Sequence, residues 1–227
     1  MKHLFLCSAI GIPGVGESVR RHLGHDKKLK TAFITTPIEV EDMTDDSWYQ
    51  DDHNALIKNG FDIFDYTITG KSQSEINQDL KDIEALYISG GNEFYLKQQA
   101  NKNNFGDFVR QFVNSDKPYI GTSCGSIIMA SDMSPALNIT DITSCPEPIT
   151  DLTGFGIVDF LPMPHWGSKD FKNFYLGERK EKMYSEKWKI ILLNNYEYVE
   201  VQNDRYRIVD VRRESWSESF FLLKFIL

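Results

Sequence analysis

The feature that most restricts the fold of this chain is the alternation of short apolar segments with amphipathic segments over its first 135 residues. Strands are predicted for short segments that are apolar or that alternate apolar and polar residues. These segments end near glycine, proline or polar residues. They are Leu4–Cys7, Thr31–Thr35, Phe61–Tyr66, Ala85–Ile88 and Tyr119–Gly121. Strands that alternate with helices form a mostly parallel sheet that is covered on both faces.

The segments between these strands have helical spacing. Asp45–Asn59 ends before Gly60, and Ser74–Ile83 begins with a residue suited to a helix cap. Asn104–Asn114 has a stripe of Phe and Val side chains with a period of about 3.6 residues, which we interpret as core packing. The sequence therefore predicts an α/β fold of three layers, with helices on both faces of a central sheet.

The pattern becomes less regular after Ser134, where prolines and small polar residues are frequent. We expect a long loop region there, then a short strand, a polar helix and a small β meander near the C-terminus. The short strand is Phe155–Phe160, the helix is about Lys169–Glu186, the meander strands are Ile190–Leu193, Tyr196–Val201 and Tyr206–Val211, and the hairpin turn is Asn203-Asp204. Because no segment reads as a linker, we expect one domain over residues 1–227.

Charge and cysteine content exclude several classes of protein. The formal net charge is −8, which opposes attraction to nucleic acid or to an anionic membrane. The three cysteines, Cys7, Cys124 and Cys145, are far apart and form no C-x-x-C pair. We therefore expect no disulfide framework, no thiolate metal site and no cofactor, and a cytoplasmic protein.

Neither end of the chain reads as a targeting or membrane segment. The first apolar run is interrupted by His3 and Ser8, so we interpret it as a buried strand rather than a signal peptide. The apolar run Phe220–Leu227 is too short to span a membrane, which takes about 20 residues.

The strongest local signal is the sequence G-x-S-x-G, which runs from Gly121 to Gly125 between a predicted strand and an apolar helical segment. In this context the glycines allow a sharp turn that lifts the central serine, Ser123, above the sheet. The helix that follows offers unpaired N–H groups to a developing oxyanion. We predict that Ser123 is a nucleophile and that the N–H of Cys124 is an oxyanion donor.

A serine hydroxyl needs a base to take its proton. Of the five histidines, His165 fits best, because Pro162 and Pro164 restrict its position and it follows Ser123 in the chain. A second oxyanion donor should come from the loop after the preceding strand, Ser89-Gly90-Gly91-Asn92, where the N–H of Gly91 has no side chain in its way.

Three motifs together resemble the peptidase E family of serine peptidases, which includes aspartyl dipeptidases and, more distantly, cyanophycinases. They are S-G-G-N-E-F-Y-L from Ser89, Y-I-G-T-S-C-G-S from Tyr119 and P-H-W from Pro164, within a likeness over about residues 2 to 202. The resemblance implies a fold similar to class I glutamine amidotransferases, a Ser123–His165 pair and no metal. It also implies an oxyanion hole formed by Gly91 and Cys124.

The chain departs from the family pattern at two places. Cys124 stands where the family usually has alanine, and only its backbone N–H is needed there. The resemblance also implies an acid that orients His165, and we predict Asp141, with Asp151, Asp132 and Glu197 as alternatives. Asn194 and Asn195 stand about where the family has a late acid.

The resulting hypothesis is a peptidase that hydrolyses short peptides, with N-terminal aspartyl dipeptides as the substrates that the resemblance implies. We expect a small peptide as its partner, no nucleic acid and no membrane, and a homodimer stays open. Two alternatives also stay open: a hydrolase with Cys124 as nucleophile, and an inactive family member that binds a peptide or small molecule.

Overall fold

A computed structural model describes residues 2–24 and 26–214, apart from the side chain of Glu178. The strands in this part are β1 (His3–Cys7), β2 (Leu29–Ile34), β3 (Phe61–Tyr66), β4 (Ala85–Ile88), β5 (Tyr119–Thr122), β6 (Leu161–Met163), β7 (Ile190–Leu192), β8 (Glu197–Gln202) and β9 (Arg205–Asp210). The helices are α1 (Val15–Leu23), α2 (Ser47–Lys58), α3 (Gln73–Asp79), α4 (Glu93–Asn103), α5 (Phe105–Val113), α6 (Cys124–Ile127), α7 (Ile139–Ser144), α8 (Lys172–Leu176) and α9 (Glu178–Met183).

Seven strands form the central sheet, in the order β3-β2-β4-β5-β1-β8-β9. The first five of these are parallel, and the β8–β9 hairpin adds two antiparallel strands beside β1. The prediction of a mostly parallel sheet is confirmed. All five predicted N-terminal strands are present, and they differ from the predictions only at their ends.

The sheet has a buried apolar cluster on each face, because successive side chains of a strand point to opposite sides. Leu4 and Leu6 of β1 belong to the cluster that contains residues of α3, α4 and α5. Phe5 and Cys7 belong to the cluster that contains residues of α1 and α2. The predicted arrangement of three layers is confirmed, and the Phe stripe of α5 is core packing.

The region after Ser134 differs from the predictions in three ways. The segment predicted as a strand at Phe155–Phe160 forms only an isolated bridge at Val158, and the strand begins at Leu161. The predicted polar helix is divided into α8 and α9, which meet at Gly177. The predicted meander is also divided, since β7 pairs with β6 in a small parallel sheet while only β8 and β9 form the hairpin.

Helix α1 is not among the predicted elements. Glycines in left-handed conformation lie at both of its ends, at Gly14 and Gly24. The apolar run 220–227 lies outside the described residues. Among the described residues, no helix combines the length and apolar character needed to cross a membrane.

Strand pairing brings three loops together at one edge of the sheet. Cys7 at the end of β1 pairs with Thr122 at the end of β5, and Ile88 at the end of β4 pairs with Gly121. The loops that follow these strands are therefore neighbours. Such an edge, beyond the carboxyl ends of parallel strands, is where α/β proteins bind ligands.

Candidate active site

Ser123 lies in the sharp turn between β5 and α6, with a φ of 51° and a ψ of −108°. A residue with a side chain rarely has a positive φ, and such strain is concentrated at functional sites. The flanking glycines make the turn possible. A Cβ atom on Gly121 would lie 2.3 Å from the carbonyl oxygen of Gly125, and one on Gly125 would lie 2.2 Å from that of Ile88.

Hydrogen bonds to β1 hold this turn in place. The backbone N–H of Ser123 donates to the carbonyl oxygen of Cys7 at 3.1 Å. The hydroxyl of Ser126, in the first turn of α6, is 2.8 Å from the same oxygen and 2.9 Å from that of Gly121. The reactive turn is thus tied to the neighbouring strand as well as to its own.

His165 lies just after β6, and its imidazole reaches Ser123 although the two residues are 42 positions apart. The distance from His165 Nε2 to Ser123 Oγ is 2.9 Å. The backbone N–H of His165 donates to Ser8 Oγ at 2.8 Å, and its ring is stacked on Phe171 with a centroid distance of 4.3 Å. The structure therefore brings together the two residues predicted as nucleophile and base, while their catalytic roles stay predictions.

The other ring nitrogen of His165, Nδ1, lies 2.8 Å from Asn195 Oδ1. The hydroxyl of Ser8 also donates to this oxygen, at 3.2 Å. A carbonyl oxygen only accepts hydrogen bonds, so Nδ1 carries the proton of the neutral imidazole and Nε2 is left to accept one from Ser123.

The pKa of His165 is lowered to about 4. Burial is the main cause, because it disfavours the charged imidazolium, and the charge of Arg179 adds to this effect. The hydrogen bond to Asn195 and the charge of Asp170 oppose the shift without reversing it. The resting imidazole is therefore neutral, as a general base must be, at every pH well above 4.

The expectation that Asp141 orients His165 differs from the structure, because Asn195 occupies the Nδ1 position. Asp141 Oδ2 instead accepts the backbone N–H of Asn138 at 3.0 Å, while Asn138 Oδ1 accepts the N–H of Asp141 at 3.2 Å. This pair is a capping box, in which an acid at the third helical position bonds back to the residue before the helix. The carboxylate of Asp141 thus serves the start of α7.

The alternative acids also bind other groups. Asp151 is 3.3 Å from Lys97 Nζ, and Asp132 is 3.8 Å from Lys187 Nζ. Glu197 Oε2 accepts the backbone N–H of Asn194 at 2.9 Å. The residue that sequence reasoning missed as the partner of His165 is Asn195, although its signal was present as an asparagine where the family has an acid.

Gly91 lies in the loop after β4 with a φ of 118°, and a Cβ atom there would lie 2.5 Å from the carbonyl oxygen of Pro37. The loop comes close to the reactive turn, since a Cβ atom on Gly90 would lie 3.6 Å from that of Ser123. Within the described chain, the backbone N–H groups of Gly91 and Cys124 have no acceptor. Both groups, which we predicted as oxyanion donors, are thus available to a ligand.

The thiol of Cys124 differs from its backbone N–H. The side chain is buried in the apolar cluster of the α4–α5 face. Burial raises the pKa of this thiol well above its usual range, with a further contribution from Glu93. A thiolate nucleophile needs the opposite environment, so the geometry disfavours Cys124 as the reacting atom.

A cavity of about 500 Å³ opens beside Ser123 and His165. Among the described residues that line it, the carboxyl groups outnumber the single arginine, Arg179. The carboxyl groups belong to Glu41, Asp42, Asp51, Asp52, Glu93, Asp141 and Asp170. No group of three or more His, Cys, Asp or Glu side chains within 2–24 and 26–214 is arranged to hold a metal ion.

Comparison with known proteins places this site in a family context. The family model of peptidase family S51 matches residues 14–209. An uncharacterized peptidase of Pasteurella multocida is 28% identical over 208 residues, which cover 90% of this chain and 95% of that protein. A peptidase E of Haemophilus influenzae is 24% identical over 140 residues, which cover 60% of this chain and 56% of that protein.

A solved structure shows the same fold. It is a candidate peptidase E protein from Listeria monocytogenes, which aligns with a TM-score of 0.81 at 22% identity. The alignment covers 92% of this chain and 98% of that one. The resemblance stated from the three sequence motifs is thereby confirmed at the level of family and fold.

Proposed function

The chain belongs to peptidase family S51 and is a serine peptidase, and we propose that it hydrolyses short peptides with Ser123 as nucleophile and His165 as general base. The observation that carries this proposal is the 2.9 Å contact between Ser123 Oγ and His165 Nε2. The distance lies within the range for proton transfer between a nucleophile and its base.

The reaction is an acyl transfer in two steps. As Ser123 Oγ attacks the peptide carbonyl carbon, His165 Nε2 takes the hydroxyl proton, and the tetrahedral oxyanion accepts the N–H groups of Gly91 and Cys124. His165 then gives its proton to the leaving amine. Water, deprotonated by His165, finally attacks the ester and releases the acid with Ser123 restored.

Asn195 fixes the imidazole without supplying a negative charge. Its amide oxygen holds the Nδ1–H, which keeps Nε2 directed at Ser123. A carboxylate at this position would also stabilise the imidazolium. We therefore propose that Asn195 is a positioning residue, and that the low pKa of His165 extends its basic form to acidic pH.

The cavity has the chemistry to hold a short peptide with a charged N-terminal residue. Arg179 is the cation that lines it among the described residues, and its Nε donates to the carbonyl oxygen of Ala136 at 2.9 Å. A planar guanidinium suits a carboxylate. We propose that Arg179 binds the side-chain carboxylate of an N-terminal aspartyl residue, which is the substrate class that the resemblance implies.

The test compares two adjacent variants, Ser123→Ala and Cys124→Ala, on a panel of dipeptides that includes aspartyl dipeptides. We expect Ser123→Ala to lower kcat by at least about 10⁴-fold and to abolish labelling by a fluorophosphonate. Cys124→Ala should keep both activities within about tenfold, because only the backbone of residue 124 takes part. Turnover that survives Ser123→Ala would refute the proposal.

A second function, peptide binding without hydrolysis, is favoured by one observation, the neutral partner of His165. If it is correct, the wild-type protein binds peptides from the panel but releases no product. A fluorophosphonate adduct on Ser123 of the wild-type protein would exclude it, because that reaction needs an activated hydroxyl.

A further inference from the structure

Glu93 is a buried carboxyl group that the proposed reaction does not use. It is the first residue of α4, lines the cavity and is only 4% exposed. It does not cap the helix, since Asn92 Oδ1 accepts the N–H groups of Phe94 and Tyr95 at 3.0 and 2.9 Å. Capping of α4 therefore does not explain why this carboxyl group is buried.

One oxygen of this carboxyl group lacks a partner. Within the described part of the chain, Glu93 Oε1 is buried and makes no hydrogen bond. A buried acceptor without a partner is costly, and in native proteins it calls for an explanation such as a ligand. Because Glu93 lines the cavity, a bound ligand can supply the missing donor.

The charges around Glu93 indicate which kind of ligand this part of the cavity favours. The pKa of Glu93 is raised to about 8, mainly by burial and also by the neighbouring carboxyl groups of Asp141 and Glu41, while Arg179 opposes the shift. Glu93 in turn raises the pKa values of the titratable groups that face it from other elements, which are Cys124, Cys145 and Tyr175. The carboxyl groups of Glu93, Asp141 and Glu41 thus line one cavity and interact electrostatically, with Arg179 as the cation near them.

Arg179 does not pair with Glu93. The ion pairs within 4.0 Å among residues 2–24 and 26–214 include none between these two side chains. The Arg179 guanidinium instead lies over the rings of Phe174 and Tyr175, 5.7 and 5.6 Å from their centroids. Among the described residues, Arg179 therefore does not occupy the space beside the Glu93 carboxyl group.

We infer that Glu93, with Asp141 and Glu41 beside it, forms a subsite for an ammonium group of the peptide. An ammonium carries three donors and a positive charge, so it can donate to Glu93 Oε1 and is attracted by the acidic groups that line the cavity beside it. The group is either the N-terminal α-ammonium or the side-chain ammonium of a lysine. This inference rests on the proposed function, because it takes the ligand of the cavity to be a peptide.

The test measures binding in the Ser123→Ala background, where hydrolysis does not interfere. Calorimetry compares three ligands: Ala-Leu, N-acetyl-Ala-Leu and N-acetyl-Lys-Leu. If the α-ammonium occupies the subsite, Ala-Leu binds about 10–100-fold more tightly than its acetylated form, as expected for one charge-assisted hydrogen bond. If the lysine ammonium occupies it, N-acetyl-Lys-Leu binds more tightly than N-acetyl-Ala-Leu by a similar factor.

The charge variant Glu93→Gln keeps the size of the side chain and should remove this preference. Its matched control is Glu147→Gln, an exposed glutamate that is 2.7 Å from Lys102 and does not line the cavity. The control should preserve the wild-type preference. In the catalytically intact chain, Glu93→Gln should raise KM for the preferred peptide and leave kcat within about threefold.

Two results would overturn the inference. One is equal affinity for all three ligands in the Ser123→Ala background with Glu93 intact. This result does not depend on how any Glu93 variant folds. The other is an unchanged preference in Glu93→Gln. In both cases the proposal of hydrolysis by Ser123 is unaffected. Conversely, turnover that survives Ser123→Ala, together with a preference for the ammonium ligands, would refute the proposed reaction but not the subsite.

Discussion

Two polar regions of the same cavity differ in how completely their hydrogen bonds are made. Around Ser123, one chain of hydrogen bonds links the serine hydroxyl, both ring nitrogens of His165, and the side chains of Asn195 and Ser8. Around Glu93, a buried carboxyl oxygen has no donor among the described residues. The first region is organised before any ligand arrives, and the second is completed by a ligand.

This difference separates two requirements of a peptidase. Chemistry requires groups that are held in the reactive geometry in advance, since reorganisation during the reaction raises the barrier. Recognition is strongest where the correct ligand satisfies a group that is costly to leave unpaired. Variants in the Ser123 region should therefore change kcat, and variants in the Glu93 region should change KM.

The largest effect is expected when the base is removed. His165→Gln takes away the proton acceptor of Ser123, and we expect kcat to fall by about 10⁴-fold or more while KM changes little. Steady-state kinetics with the preferred dipeptide measure the split between the two constants. A KM effect that exceeds the kcat effect would place His165 in substrate binding instead.

A smaller effect is expected when the imidazole is released but kept. Asn195→Ala removes the oxygen that holds Nδ1–H, and we expect kcat to fall by about 10²-fold through misplacement of the ring. The fold should be retained, as circular dichroism can verify. A variant as active as the wild type would show that Asn195 does not position His165.

A third change alters the pH profile. Asn195→Asp places a carboxylate next to Nδ1, which favours the imidazolium and should raise the pKa of His165 by about 1–3 units. Because the imidazolium cannot act as a base, the acid limb of kcat/KM should move up in pH from the midpoint that we expect for the wild type, near the His165 pKa of about 4. Profiles that coincide would exclude His165 as the titrating group.

The smallest effect concerns stability in the Glu93 region. The folded-state pKa of Glu93 is raised to about 8, mainly by burial. The contribution of its protonated form to the free energy of unfolding is therefore fully present below its unfolded pKa and is lost as the pH rises through 8. Glu93→Gln does not titrate and should lose less stability between pH 5 and pH 9. Melting curves detect this as about 2–4 °C for each kcal/mol.

The comparison of the two regions also shows what the sequence could predict. The G-x-S-x-G turn was predictable because its strand, glycines and helix are consecutive in the chain. His165 was predictable because Pro162 and Pro164, just before it, marked a restrained histidine. Asn195 was overlooked as its partner because the two meet only through the pairing of β1 with β8 and of β6 with β7, which brings three distant segments together.

Glu93 was out of reach for a different reason. Its motif reads as a glycine turn followed by a helix with an apolar face, in which an acidic first residue is ordinary helix chemistry. That this residue is buried, and that Asn92 performs the capping, depends on the surrounding tertiary structure. The sequence likewise predicted the five N-terminal strands but not the division of the C-terminal ones between two sheets.

The two residues in hydrogen-bond contact at the reactive turn share one backbone property. Ser123 and His165 have φ angles of 51° and 64°, a conformation that costs a residue with a side chain about 1 kcal/mol or more and costs glycine little. A glycine at either position would relax the backbone and delete the functional group. Selection for stability and selection for turnover therefore oppose each other at these two positions. An inactive descendant of this chain could gain thermal stability by substitution there.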